Sequence, residues 1–373
     1  MLVHSDQFEA SKNPDGTFDY SPTFQCVRAL LKDADYTVGN LETTLAGAGA
    51  EYTNALCSFN TPDIFADVLA DAGFNMLSTG NNHCLDRGVE GLRRTLDVLD
   101  AAGLEHVGTA RTPEEAEKPF IRRIGGISIG FISSTYGTNA DANRCFLSEE
   151  TAHSVLLSMP QESLPGSIRP LDPMETIAEN VAKLPPGDSP ELAQIRKRIA
   201  AAKAAGAEYL ICLMHSGGQY NPEPDAYTEM LVGKLIEYGA DMIVGLHPHI
   251  IQKCGMRKGI PVFYCLGNFL TSDYLTWAQY HPEQLNSILL KPVLRRIGGK
   301  VVMTRSKFSV TRSIRLPDGK WCAVPLYEQM MQAADPKEKD FLAAELERSV
   351  RTFLDLPDTA NPGCKPEYDL EMR

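Results

Sequence analysis

No apolar run in this sequence reaches the ~18–20 residues that a membrane-spanning helix needs. Its first residues, Met1-Leu2-Val3-His4-Ser5-Asp6, lack both the basic region and the apolar stretch of a secretory signal. As written, the chain reads as soluble and retained where it is made. Leu2-Val3 resembles the tail of a strand, so the expectation is that an element begins ahead of Met1. Basic clusters are also scarce. The longest Lys/Arg run is three residues and the net charge is −12, which argues against nucleic acid as a polymer partner. None of the nine cysteines forms a C-x-x-C pair. Cys212 and Cys265 fall inside apolar runs, and buried free thiols are expected there.

What the sequence does contain is ordinary globular material, 43% apolar and 23% charged. Helix punctuation is clear. Ser21-Pro22 opens a predicted helix to about Lys32, and Thr61-Pro62 one through Ala72, closed by Gly73. Val89, Leu92, Leu96 and Leu99 place one apolar face on a helix from about Val89 to Ala102. Pro190 opens a helix through Ala205, Pro224 one to Tyr238, and a last helix is predicted over Pro336–Leu354.

Between them lie short apolar runs at Tyr36–Val38, Met76-Leu77, Ile127–Ile132, Tyr209–Leu213, Met242–Val244 and Val262–Leu266. Strands alternating with helices imply an α/β sheet covered on both faces. Ser287–Thr311 alternates more strictly around Gly298-Gly299 and predicts a C-terminal β-hairpin. The stretch 137–189, with Leu164-Pro165-Gly166, Arg169-Pro170 and Leu184-Pro185-Pro186-Gly187, breaks the rhythm. It reads as an insertion near the site mouth, a lid or gripping loop.

Four of the eight histidines stand just past predicted strand ends, where open α/β sheets place their sites. His247-Pro248-His249 is the sharpest case. Proline excludes helix interior, and in an extended chain residues two apart point the same way, so both imidazoles can face one site. His215 and His83 end two further strands. Imidazole suits Zn, Fe and Ni and, beside carboxylates, Mn. Asn82 can offer its carbonyl oxygen to a metal while His83 faces substrate, and Asp86 is placed to orient that imidazole. Asn40-Leu41-Glu42 and Gly267-Asn268-Phe269 follow two more strands, and Glu42 suits a carboxylate bridging two metals.

These segments together, Val38–Glu42, Asn81–Gly88, His215–Tyr220, Gly245–His249 and Phe263–Phe269, resemble the CapA family of bacterial capsule (poly-γ-glutamate) synthesis proteins. The resemblance runs from the first residues to about Ser272. It implies a metallophosphoesterase-like α/β sandwich of two packed sheets flanked by helices, spanning 1–330, with 331–373 as a helical extension. It further implies a site with two divalent metals, Mn, Fe or Zn. Glu42 would bridge them, Asn82, His215 and His247 would hold one, and His249 the other. His83 would act as general acid or transition-state stabiliser, supported by Asp86.

Two metals ~3.5–4 Å apart generate a nucleophile and clamp a reacting phosphoryl or acyl centre. The implied activity is a metal-dependent hydrolase in capsule biosynthesis, working on an anionic polymer or on phosphorylated or γ-glutamyl substrates, alongside other capsule-synthesis proteins. A small-molecule phosphoesterase and a non-catalytic, metal- and polymer-binding assembly component are the rivals. Asn40, Arg87, Gln219 and Asn268 are candidate substrate contacts, with Arg87 the expected positive charge.

The chain departs from the family in two ways. The family's Gly-Asp would fall ahead of Met1, so the expectation is either that it lies upstream of this start or that a ligand is lost, in which case His4 would approach a weakened second metal. Ser216 and Gln219 stand where relatives often carry Trp and Glu. Family members are often membrane-anchored or exported.

Overall fold

Alternate residues of the strand Tyr209–His215 enter two different cores. Tyr209, Ile211 and Leu213 pack into one, and Leu210, Cys212 and Met214 into the other. A strand buried on both faces needs apolar residues at every position, which is why this segment reads as a continuous run. The computed structural model describes residues 1–55, 58–162, 168–169, 172–273 and 281–372. Leu164-Pro165-Gly166 and Pro170 of the predicted insertion lie outside the described residues, as does Cys57.

Three strands form a parallel sheet in the order β1 (Val38–Asn40), β2 (Met76–Ser78), β3 (Glu105–Val107). A six-stranded sheet is built from β4 (Phe120–Ile124), β5 (Ile127–Thr135), β6 (Tyr209–His215), β7 (Met242–Leu246), β8 (Cys254–Arg257) and β9 (Ile260–Phe263). Its order is β4-β5-β6-β7-β9-β8, with β5, β6, β7 and β9 parallel and the two edges antiparallel. The third sheet holds β10 (Asn286–Lys291), β13 (Ser306–Arg315), β14 (Trp321–Pro325) and β15 (Tyr368–Leu370), all paired antiparallel. Between β10 and β13 the hairpin β11 (Leu294–Ile297) and β12 (Lys300–Met303) turns at Gly298-Gly299, both with positive φ, as the alternation predicts.

The cores set the layers. Met76 of β2, Ile129 and Phe131 of β5, Ile211 of β6 and Ile288 and Phe308 of the third sheet share one core. The small parallel sheet and the C-terminal sheet therefore stand together opposite the six-stranded sheet. The outer face of the first pair is covered by the helices Ile64–Ala72 and Gly88–Ala101, and that of the six-stranded sheet by Pro190–Ala204 and Ala226–Tyr238. The result is the expected α/β sandwich of two sheet layers flanked by helices. Each fully buried Leu, Ile or Phe in these cores contributes about 1.5–3 kcal/mol. Among the described residues no helix is long and apolar enough to cross a membrane.

Most helix boundaries follow their caps. Ser189 accepts from Leu192 N at 3.2 Å, and Gly73 and Gly239 close their helices in the left-handed region. Three openings differ from expectation. The helix predicted from Thr61-Pro62 begins at Ile64, with Asp63 at its N-cap. After Ser21-Pro22 the chain makes a 3-10 turn, Ser21–Phe24, bonded Gln25 N to Pro22 O, and α-helix resumes only at Arg28–Lys32. The helix predicted from Pro224 begins at Ala226, because Asp225 caps it by accepting from Thr228 N.

Within 137–189 a helix at Met174–Ala182 packs Ile177 against Ile195 and Tyr227, while the loop from Gly137 folds inward to the site. The last helix, Pro336–Phe353, buries Leu342, Leu346, Val350 and Phe353 in the core between the sheets. The eight described cysteines are free, and Cys84, Cys212, Cys254, Cys265 and Cys322 are buried.

Candidate metal centre

The carboxyl ends of β1, β2, β6 and β7 converge, and each delivers one part of a buried polar cluster. Glu42 lies just past β1. Its Oε2 accepts from Asn40 Nδ2 at 3.0 Å, and Asn40 is in turn held by Asn81 Nδ2 at 3.2 Å. Asn81 also donates to Leu41 O at 2.7 Å. This chain of amides turns Glu42 Oε1 toward the histidines, 3.4 Å from His215 Nε2 and 3.7 Å from His249 Nε2. Oε1 is buried with no hydrogen-bond partner among the described residues. Burial works against its charge, but His215 and His249 hold its pKa well below the ordinary carboxylate range.

His215 ends β6. Its Nε2 stands 2.7 Å from Asn82 Oδ1 and 3.1 Å from His247 Nδ1. Nitrogen and oxygen ligands bound to one ion at ~2.1 Å sit roughly 3–3.4 Å from one another. From His215 Nε2, His247 Nδ1 at 3.1 Å and Glu42 Oε1 at 3.4 Å fall in that range, and Asn82 Oδ1 is closer at 2.7 Å. Glu42, His215 and His247 are all buried, with ligand atoms mutually within 4.8 Å. A buried acceptor left unsatisfied costs about 1–3 kcal/mol, and a cation at this point removes that cost for Oε1. The residues present therefore fit a divalent metal. His215 Nδ1 and His247 Nε2, facing away, are also unpartnered among the described residues.

His249 is fixed from behind. Its Nδ1 faces Asn268 Oδ1 at 2.9 Å, while Asn268 Nδ2 donates to His249 O and Gln284 O, both at 3.0 Å. Because the amide's donors are committed to carbonyls, its oxygen must accept, so His249 carries its proton on Nδ1 and turns the Nε2 lone pair toward Glu42. Asn268 thus acts through His249. His4 joins the same neighbourhood, its ring 5.3 Å from Phe59. Burial, then His249 and His83, push its pKa down to about 4, so it is a neutral imidazole.

One expectation is corrected at His247-Pro248-His249. The stretch is not extended, since His247 has φ 99° and His249 φ 60°. Both lie in the left-handed region, which non-glycine residues enter at a cost of about 1–3 kcal/mol. The two rings nevertheless converge, with centroids 5.5 Å apart. Backbone turns on either side of the proline, rather than strand alternation, aim them together.

His83 Nδ1 meets Asp86 Oδ2 at 2.7 Å, and the same oxygen accepts from Phe59 N at 2.8 Å. The Phe59 ring packs on His83 at 4.5 Å. Burial acts to lower the His83 pKa, but Asp86 and then Glu42 more than offset it, and the net direction is upward. With Nδ1 directed to Asp86, Nε2 is the atom free to carry or release a proton toward substrate.

Arg87 is engaged with backbone carbonyls. Its guanidinium donates to the carbonyls of Glu51, Asp86 and Tyr52, at 3.1, 3.2 and 3.4 Å, and holds that loop. Gln219 sits half-buried in the turn after β6. A cavity of about 940 Å³ leads from Glu42, His247 and His249 along β1 to Leu289–Lys291.

The sequence reading left out Phe59, Tyr136, whose ring is 4.7 Å from His247, and Asn139, which accepts from Asn82 Nδ2 at 3.2 Å. An aromatic in a loop and a lone asparagine carry no ligand pattern, so nothing in the one-dimensional text singles them out.

A family model described as bacterial capsule synthesis protein PGA_cap matches residues 1–273. The PGA biosynthesis protein CapA of Bacillus subtilis is 25% identical over 249 residues, 66% of this chain and 56% of that protein. The uncharacterized protein y4sH of Sinorhizobium fredii is 27% identical over 297 residues, 69% of this chain and 63% of its own length. The chain thus spans less than two thirds of these relatives. Among solved structures it is similar to the calcineurin-like phosphoesterase YfkN from Bacillus subtilis, at 12% identity and a TM-score of 0.46, covering 83% of this chain and 87% of that one.

Proposed function

The chain belongs to the family of bacterial capsule synthesis proteins, PGA_cap, and from that premise we propose that it is a divalent-metal-dependent hydrolase serving capsule polymer assembly. The observation that carries this reading is the orphaned Glu42 Oε1 among His215, His249 and His247, with the His83–Asp86 pair beside it. Glu42, Asn82, His215 and His247 would hold the first metal. Glu42, His249 and His4 would offer a second position. Mn, Fe and Zn all suit such a donor set.

Divalent ions in such a site polarise a carbonyl or phosphoryl oxygen and lower the pKa of water. The chain's own residues supply the rest. His83, its Nδ1–H held by Asp86, presents Nε2 to the leaving group and donates a proton there. Phe59 and Tyr136 wall the imidazoles from solvent.

The substrate class we propose is an anionic polymer with γ-glutamyl amide linkages. The likeness to the PGA biosynthesis protein CapA of Bacillus subtilis supports it. At a net charge of −12, with Arg87 turned to carbonyls, bound cations would supply the positive potential that a polyanion needs. Other capsule-synthesis proteins would be its partners.

The test combines metal analysis of the purified chain with a panel of γ-glutamyl peptides, phosphomonoesters and phosphodiesters, for the wild type and His83→Ala. Bound metal and γ-glutamyl hydrolysis lost in His83→Ala are expected. Turnover of phosphoesters alone would make it a phosphoesterase. Metal binding with no turnover would assign the assembly role, and a chain that takes up no divalent metal would overturn the reading.

A further inference from the structure

The loop after β5 reaches the centre through an arrangement that the mechanism above does not use. Glu162 is buried, and its two carboxylate oxygens accept from three successive backbone amides, Thr138 N at 3.0 Å, Asn139 N at 2.9 Å and Ala140 N at 3.2 Å. Consecutive amides converging on one anion form a nest, a rigid device that fixes the backbone carrying it. Gln161 adds a bond to Thr138 Oγ1 at 2.7 Å, and Asn143 Nδ2 one to Thr138 O at 2.7 Å. Gly137 is required for this closeness, since a Cβ there would lie 2.1 Å from Glu162 Oε1.

The nest holds Asn139 in the left-handed region, at φ 54° and ψ 32°. From there Asn139 Oδ1 accepts from Asn82 Nδ2 at 3.2 Å. An amide has one donor end and one acceptor end. When the donor end of Asn82 is taken by Asn139, its carbonyl end must face His215 Nε2, 2.7 Å away, and the ligand cluster. With the amide reversed, two N–H groups would point at the cation position and a ligand would be lost.

We propose that Asn139, clamped by Glu162, is a positioning residue that sets the orientation of the Asn82 amide and so completes the first metal position. It acts through Asn82 and does not itself bind the metal. The inference rests on the reading that Glu42, Asn82, His215 and His247 hold a divalent cation. Outer partners of this kind typically change metal affinity by about 10–100-fold when removed.

The experiment is a Co²⁺ titration of the whole chain, followed by the visible absorption of the bound ion, with thermal unfolding of the metal-free protein alongside. Asn139→Gly removes the side chain while keeping a backbone that glycine adopts freely. It is expected to weaken Co²⁺ binding about 10–100-fold and to alter the absorption band, with the metal-free melting temperature held. Asn139→Asp keeps an acceptor for Asn82 Nδ2 and is expected to restore affinity to within a few-fold.

Asn82→Ala combined with Asn139→Gly should bind no more weakly than Asn82→Ala alone, because both changes remove one interaction. Wild-type affinity and spectrum in Asn139→Gly, or losses that add in the double variant, overturn the proposal while leaving the metal reading intact. A wild-type chain that gives no Co²⁺ spectrum overturns both.

Discussion

The side-chain oxygen of Asn268 accepts from His249 Nδ1 at 2.9 Å while its nitrogen bridges two backbone carbonyls. That single amide decides which nitrogen of His249 faces Glu42. Asn268→Ala is expected to reduce metal uptake at the His249 position by about 10–100-fold and to leave the position of Asn82, His215 and His247 loaded. Mn²⁺ stoichiometry by calorimetry reads this directly. Equal loss at both positions would show that Asn268 acts on the fold instead.

The Asp86 carboxylate raises the His83 pKa against the pull of burial. If protonated His83 is the acid, turnover declines as pH rises through that pKa. Asp86→Asn removes the raising charge, so the alkaline limb of the pH–rate profile should move to lower pH. His83→Ala should cost about 10²–10⁴ in kcat. An alkaline limb that stays in place in Asp86→Asn excludes His83 as its origin.

Acid should destabilise the metal-free protein. His4 titrates at about 4 when folded, and burial also depresses His247 and His249. Unfolded histidine titrates at about 6.5, so between those values the unfolded chain binds more protons and stability is lost as pH falls. His4 alone contributes on the order of 2 kcal/mol of loss by pH 5. His83, whose pKa is raised, opposes this with stability present below 6.5 and lost as pH rises through its folded value. The depressed groups outnumber it. Urea midpoints in EDTA should fall from pH 7 to pH 5, and a rise would contradict the assignment.

Phe353 is fully buried between Phe263 and Phe308, with centroids 6.1 and 4.9 Å away. Phe353→Ala is expected to cost about 3–5 kcal/mol. Denaturant unfolding checks this, and a loss under 1 kcal/mol would mark the C-terminal helix as a detachable extension, outside the core.

Much of the frame was legible before folding because it depends on local physics. Ser189-Pro190 and Gly73 mark helix ends through backbone donors and left-handed φ, and the Tyr209–Leu213 run marks a strand with two buried faces. One short-range pair was equally readable. His83 and Asp86 are three residues apart, whereas the hold of Asn40 on Glu42 was not read from the sequence, which placed Asn40 at the substrate. By contrast, the 3-10 turn at Ser21–Phe24 and the left-handed backbone at His247 and His249 follow from contacts with distant segments that no local spacing encodes.

The sequence by itself determined which side chains arrive at strand ends, since period and capping fix where each strand stops. Only the tertiary structure decided what those side chains do. Asn82 and His215 are separated by 133 residues, and their atoms meet because β2 and β6 end at the same level of two facing sheets. Asn139 enters the centre only because Glu162, 23 residues later, gathers its backbone amides. Orientation of an amide or an imidazole is set by the partner on its far side, and that partner is chosen by packing.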